Sequence, residues 1–261
     1  MAQASIDPRA VVDPSATLGD DAFVGPFCVV GAHASIGART RLESHVVVDG
    51  SVALGPDNVV APFASLGGPP QDLKYKGEPT KVVIGAGNQI KEYVTINRGT
   101  VGGGGVTRIG DGCLIMAYVH IAHDCQVGSR IIFANGATLA GHVEVGDDAT
   151  VGLFCGVHQF TRIAKNAFIG GYTPVSKDAL PWIMTAGSRD AEGHGINTIG
   201  LRRKGYPPET IEAIKTCYLT LFRSKMLLAD AIAKVDADLG HIPEVRYFLD
   251  FVQSSKRGVI R

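Results

Sequence analysis

Aliphatic residues recur at every sixth position over much of the chain. Stepping by six gives an unbroken aliphatic series over positions 6–66 and a short one over 84–96. A long series over 109–175 follows, in which only Phe133 is not aliphatic. A helix repeats about every 3.6 residues and a plain strand about every two, so neither explains this period. The pattern predicts hexapeptide repeats.

Each six-residue unit carries the signals of a short strand followed by a corner. The fourth residue after the aliphatic one is mostly small, as at Ala22 and Cys28, and glycine often follows the aliphatic residue directly. Such units wind into a β-helix whose neighbouring coils lie about 4.8 Å apart. Three units, or eighteen residues, are expected to close one coil. We therefore predict a mainly β fold, with a parallel β-helix over residues 1–190.

Two interruptions and a change of pattern divide the chain further. The six-residue step breaks near 67–83 and near 97–107, and both segments are expected to leave the coil as loops, where binding residues tend to lie. The second one is rich in glycine and is expected to be flexible. Pro207-Pro208 then begins a helical pattern. Residues 191–261 should form a C-terminal α-helical domain that packs on the β-helix, since so small a unit is marginal alone.

Composition narrows the class of protein. The 25 Lys and Arg residues balance 25 Asp and Glu residues, which argues against a nucleic-acid partner because phosphate contacts need a basic excess. We find no signal peptide, and no stretch reaches the roughly 18 apolar residues of a transmembrane segment. Five cysteines without an export signal are typical of reduced thiols. A cytoplasmic protein is predicted.

Four of the eight histidines fall on one column of the predicted coil. Because positions eighteen residues apart share a face, His120, His123, His142 and His158 should converge on one edge, within about two strand spacings. Gly141 lies one full coil from His123. This convergence predicts a functional site.

Three interpretations of the cluster are open. Histidines can lie on a surface without any function. Several neutral imidazoles can also bind zinc, and γ-class carbonic anhydrases build such a site on this kind of fold. Finally, a histidine can act as a general base towards a hydroxyl, and Asp124, directly after His123, could fix the tautomer of that imidazole.

Three segments around these histidines carry a family resemblance. His120–Cys125, Thr138–His142 and Val157–Phe160 resemble the UDP-N-acetylglucosamine acyltransferases of lipid A biosynthesis, and the similarity covers the whole chain. It implies a left-handed coil and transfer of a 3-hydroxyacyl chain from acyl carrier protein to the sugar 3-hydroxyl. The acyl thioester is then a co-substrate, and neither a cofactor nor a metal is expected. A homotrimer with its site between subunits is implied, so the first loop and the histidines should meet across an interface.

The resemblance also assigns residues to roles. His123 is expected to be the general base, Asp124 to orient it, and the backbone N–H of Gly141 to form the oxyanion hole. The substrate-binding residues that it implies are Gln71, Asp72, Lys74, His120, His142, His158, Gln159, Gly171, Asn197 and Arg203. Basic residues near the helical domain, among them Lys204 and Arg223, are candidates for attracting the acidic carrier protein.

One departure from the family pattern keeps alternatives open. Where the family commonly has Asn-x-Glu-Gly-Leu, this chain has Ile199 in place of the glutamate. The missing carboxylate puts the preference for UDP-N-acetylglucosamine over a 3-amino analogue in doubt, so an N-acyltransferase is one alternative. A zinc hydratase and a non-catalytic scaffold are two others. Gly171 matches a position that limits acyl length in the family, and a glycine there favours a longer chain.

Overall fold

The computed structural model describes residues 3–261 and contains three sheets that run along the faces of a triangular coil. The first sheet consists of β1 (Ser5–Ile6), β4 (Phe23–Val24), β7 (Arg41–Leu42), β10 (Val59–Val60), β13 (Gln89–Ile90), β16 (Leu114–Ile115), β19 (Ile132–Phe133), β22 (Thr150–Val151), β25 (Phe168–Ile169), β27 (Ile183–Ala186) and β28 (Glu192–Ile196). The second consists of β2 (Val11–Val12), β5 (Val29–Val30), β8 (Val47–Val48), β11 (Ser65–Gly68), β14 (Thr95–Asn97), β17 (His120–Ile121), β20 (Thr138–Leu139), β23 (Gly156–Val157) and β26 (Pro174–Val175). The third consists of β3 (Thr17–Leu18), β6 (Ser35–Ile36), β9 (Ser51–Leu54), β12 (Lys81–Ile84), β15 (Val106–Ile109), β18 (Gln126–Val127), β21 (Glu144–Val145) and β24 (Arg162–Ile163).

Strands pair with the strand one coil further along the chain. All pairs are parallel except β27 with β28, and partners such as His120 and Thr138 are eighteen residues apart (138 − 120). The aliphatic residue of each repeat points inward, and those from Val24 to Val175 are buried in one continuous core. The six-residue period therefore corresponds to one strand and one corner, as the sequence predicts.

Two excursions leave the coil without disturbing its register. Ser65 pairs with Thr95, thirty residues on (95 − 65), and Thr95 pairs with His120, twenty-five residues on (120 − 95). The first loop is residues 69–80 and the second loop is residues 98–105. Both are shorter than the predicted segments because β12 and β15 begin earlier than the hydrophobic step suggests.

The three edges of the prism differ in chemistry. The third residue of most corners has a left-handed backbone with φ near +60°, which is uncommon outside glycine. Arg39–Asp57 and Arg130–Asp148 form ion pairs along the charged edge. The aromatic edge carries stacked, exposed rings, with Tyr93 and Tyr118 only 3° from parallel. Its rings belong to Phe27, His45, Phe63, Tyr93, Tyr118, Phe154 and Tyr172. On the histidine edge the corresponding positions include Asp124, His142 and Phe160.

The C-terminal helices pack on the last coils through a second core around the buried Trp182. They are α1 (Thr198–Arg203), α2 (Pro208–Phe222), α3 (Leu228–Leu239) and α4 (Pro243–Gln253). The chain end returns to the β-helix, where the N–H of Asp178 donates to the Gly258 carbonyl and the N–H of Ile260 donates to the Asp178 carbonyl. Within residues 3–261 we find no helix with the length and hydrophobicity needed to cross a membrane.

Candidate functional site

The histidine edge stacks three side chains from successive coils. Asp124, His142 and Phe160 occupy the same left-handed corner position, with φ of 62°, 61° and 61°. The ring of Phe160 lies parallel to that of His142, with 4.4 Å between their centroids and 9° between their planes. The ring of His123 stands edge-on to His142 at 5.1 Å. The corner geometry thus holds these side chains in a fixed column.

A buried carboxylate anchors the His123 imidazole. The Asp124 side chain has no exposed surface, and its Oδ2 lies 2.7 Å from Nδ1 of His123. Because an ionised carboxylate only accepts hydrogen bonds, Nδ1 must be the donor. This arrangement leaves the lone pair on Nε2 of His123 free to accept a proton from another molecule.

The second loop holds that carboxylate from the other side. The Thr100 N–H donates to Asp124 Oδ1 at 2.8 Å, and the Thr100 hydroxyl donates to Oδ2 at 2.6 Å. Cβ atoms built on Gly99 and Gly103 would come within 2.9 Å and 2.0 Å of this side chain. The glycines are therefore needed for close approach, and the loop expected to be flexible is hydrogen-bonded to the site.

Thr100 is a residue that the sequence reasoning missed. Its hydroxyl also accepts the N–H of Gly103 and so caps the short 3-10 turn Val101–Gly103. Lone threonines in a glycine-rich segment carry no periodic signal. The available signal was a capping side chain followed three residues later by a glycine.

Gly141 lies directly against the His123 ring. A Cβ built on Gly141 would be 2.5 Å from Cε1 and 2.7 Å from Nε2 of His123. Adjacent backbone bonds fix the segment, since the His142 N–H donates to the His123 carbonyl. Within residues 3–261 the Gly141 N–H makes no backbone hydrogen bond. A free donor beside a free imidazole nitrogen is the arrangement that stabilises an oxyanion formed by attack on a carbonyl.

A groove of about 330 Å³ joins the first loop to the histidine edge. Asp72 and Lys74 line it together with His142 and Phe160, all from one chain. Within one chain the first loop and the histidine edge therefore already share a groove, and a meeting of loop and histidines across a subunit interface stays a prediction. Arg98 ties the loop down, because its Nε donates to the Tyr75 hydroxyl at 2.9 Å and its guanidinium to the Gly67 carbonyl at 2.9 Å. The side chain of Gln71 is exposed and lies outside this groove.

The other predicted residues of this edge differ in burial. His120 is half-buried, with Nδ1 2.8 Å from the Thr95 hydroxyl. Burial, and then the neighbouring His123, lower the pKa of His120 below its ordinary value. Burial also lowers the pKa of His142, opposed by Asp124. Both shifts favour the neutral form of the imidazole. His158 and Gln159 are exposed, and His158 Nδ1 lies 3.0 Å from its neighbour's carbonyl.

Three ligand atoms of the site lie close enough to consider a metal. Those of His123, Asp124 and His142 are all within 4.8 Å of one another. The carboxylate of Asp124 is already committed, because it accepts hydrogen bonds from Thr100 and from Nδ1 of His123. A cation would therefore have to replace these hydrogen bonds. The hydrogen-bonded group favours proton transfer over metal binding.

Three predicted residues lie elsewhere in the chain. Asn197 and Arg203 line a groove of about 290 Å³ on the outer side of the first sheet. The Asn197 side chain also caps α1, where Oδ1 accepts the Gly200 N–H at 2.9 Å. Gly171 lies over Leu153 on the aromatic edge. Within one chain, none of the three is brought to His123.

Sequence comparisons relate the chain to one enzyme family. A family model described as UDP N-acetylglucosamine O-acyltransferase, domain 2, matches residues 178–260, and the bacterial transferase hexapeptide model matches residues 107–141. A Burkholderia mallei acyl-[acyl-carrier-protein]–UDP-N-acetylglucosamine O-acyltransferase is 48% identical over 202 residues, which are 76% of this chain and 77% of the relative. The protein of that name from Anaeromyxobacter dehalogenans is 48% identical over 195 residues, or 75% and 76% of the two chains.

Solved structures match over nearly the whole chain. UDP-N-acetylglucosamine acyltransferase from Francisella novicida superposes with a TM-score of 0.95 at 40% identity, covering 98% of this chain and 94% of that one. The Moraxella catarrhalis O-acyltransferase has a TM-score of 0.95 at 42% identity, covering 98% and 99%. The predicted fold class, a left-handed parallel β-helix of hexapeptide repeats with a C-terminal helical domain, is confirmed.

Proposed function

The chain belongs to the UDP-N-acetylglucosamine O-acyltransferase family, and from that premise we propose how its residues perform the reaction. The enzyme transfers an acyl chain from acyl carrier protein to a hydroxyl of UDP-N-acetylglucosamine, the first step of lipid A biosynthesis. The observation that carries the residue assignment is the buried Asp124–His123 pair, which leaves Nε2 free beside the Gly141 N–H.

In the proposed mechanism His123 first accepts a proton from the sugar and later donates it to the leaving group. Nε2 of His123 takes the proton of the sugar 3-hydroxyl while that oxygen attacks the thioester carbonyl. The Gly141 N–H donates to the resulting oxyanion, and Asp124 stabilises the imidazolium. The intermediate then collapses, the carbon–sulfur bond breaks, and the leaving thiolate receives the proton from His123. All the groups required come from the protein and its two substrates.

The sugar nucleotide is assigned to the groove of the first loop. Asp72 and Lys74 offer one acceptor and one cation there, next to His142, whose pKa is lowered by burial. Arg203 has a planar guanidinium suited to phosphate but lies on a different face of the prism. We propose that a neighbouring copy in a homotrimer supplies Arg203, Asn197 and Gly171 to this site. A cytoplasmic location and the absence of a cofactor stay predictions.

A mass-spectrometric transfer assay tests the proposal. The enzyme is offered acyl carrier thioesters of several chain lengths together with UDP-N-acetylglucosamine or its 3-amino analogue. The His123→Ala variant should lose about 10²- to 10⁴-fold in rate, the usual contribution of a general base, while keeping its fold. His33→Ala is the matched control, because His33 is an exposed histidine at a left-handed corner of the same edge. Equal activity of the His123→Ala variant and wild type would contradict the mechanism.

A further inference from the structure

A second groove opens on the other side of the stacked His142–Phe160 pair. Its volume is about 420 Å³, and it runs from these two rings across the third sheet to the C-terminal segment. Both rings also line the groove of the first loop. The two grooves therefore meet at the catalytic column. A reaction between two large substrates needs a separate groove for each of them to reach the catalytic residues.

The second groove contains one buried ion pair and two further cations. Asp178 is buried and satisfied, because Arg162 binds its Oδ2 at 2.9 Å and Ser255 donates to the same oxygen at 2.8 Å. This pair is internal and neutral. Lys256 and Arg257 also line the groove, and among the described residues no carboxylate lies within ion-pair distance of either.

The backbone that carries these two cations is fixed. The Gly258 carbonyl accepts the Asp178 N–H at 3.0 Å, and Val259 and Ile260 are buried directly after it. Arg257 Nε donates to the Ser176 carbonyl at 3.3 Å, so its guanidinium is held near the groove. Preorganised cations with unused donors bind a phosphate group well. Glu144 is the remaining carboxylate of the lining and would weaken such binding.

We propose that Lys256 and Arg257 form a subsite for the phosphate of the phosphopantetheine arm that carries the acyl thioester. This inference rests on the proposed function, which places the thioester carbonyl at His123 and Gly141. The arm would lie along the second groove, with its sulfur end at Phe160 and its phosphate end at the C-terminal segment. The carrier protein then approaches from the side of α4, and the nucleotide keeps the groove of the first loop.

Three acyl donors separate the phosphate from the rest of the carrier. They are acyl carrier protein, acyl-phosphopantetheine and acyl-pantetheine, which lacks the phosphate. Wild type should show a kcat/KM about tenfold higher for acyl-phosphopantetheine than for acyl-pantetheine, the size expected of a charge-assisted phosphate contact. In the K256A/R257A variant this ratio should fall to about one, with the KM for the sugar nucleotide unchanged.

Two further variants sharpen the test. R189A/K225A removes two exposed cations outside the groove and should keep the phosphate preference, which excludes a general charge effect. Glu144→Gln removes the opposing carboxylate and should raise the preference, so the idea stays testable even if K256A/R257A folds poorly. An unchanged ratio in K256A/R257A and in Glu144→Gln would overturn the subsite alone. Absence of transfer by wild type from every donor would refute the proposed function, and the subsite with it.

Discussion

Replacing Gly141 with alanine should separate catalysis from folding. The backbone accepts the change, because Gly141 has no left-handed φ and Ala32 occupies the equivalent corner position of an earlier coil. The new Cβ, however, would stand 2.5 Å from Cε1 and 2.7 Å from Nε2 of His123, where a carbon contact needs about 3.5 Å or more. Relief requires the ring to turn away by about 1 Å, which breaks its 2.7 Å bond to Asp124.

The expected loss is that of the general base, about 10²- to 10⁴-fold in kcat, with little change in thermal unfolding. The assay is steady-state acyl transfer at saturating substrates, paired with a thermal melt followed by circular dichroism. Gly156→Ala is the control, because a Cβ there meets nothing within 4 Å. A Gly141→Ala enzyme with wild-type kcat would refute the claim that this glycine sets the position of the imidazole.

Three further outcomes are expected. Thr100→Val removes the hydroxyl that donates to Asp124, so kcat should fall about tenfold while KM changes little; Thr100→Ser should restore the rate, and failure to do so would contradict a positioning role. Burial lowers the pKa of His120 below 6.5, so the unfolded chain binds more protons than the folded one as pH falls below that value, and the free energy of unfolding should decrease. Urea titrations at several pH values should show a smaller decrease in the free energy of unfolding for His120→Gln than for wild type. An identical dependence on pH in the two proteins would exclude this histidine as the cause. Burial raises the pKa of Cys125 and of Cys217 to about 12, so a thiol reagent should label neither at pH 8 before unfolding; rapid native labelling would disprove their burial.

The sequence was most informative where the repeat is regular. Because each coil adds eighteen residues, counting alone placed Gly141 beside His123, and the structure has them in contact. The same regularity explains why the cysteines lie inward: Cys28, Cys113, Cys125 and Cys155 are all buried at the small position of their repeats.

Counting fails where the chain leaves the coil. The path of an excursion depends on its own hydrogen bonds, so neither the contact of Thr100 with Asp124 nor the arrival of Asp72 beside His142 within one chain had a periodic signal. Two cations expected to attract the carrier protein also have structural partners. Lys204 bonds the Asp148 carbonyl and Arg223 bonds the Gly193 carbonyl. A side chain with several donors can bind a carbonyl of its own chain or an acidic partner protein, and sequence alone does not distinguish these two roles.

The constant register of the coil constrains how genes for such proteins can change in length. An insertion within residues 69–80 or 98–105 lengthens an excursion and leaves every downstream strand in its row. A six-residue deletion between Asp124 and His142 instead shifts all later residues by one face, so that His142 would leave the column of Asp124. Viable insertions and deletions should therefore lie in the excursions or comprise whole coils of eighteen codons.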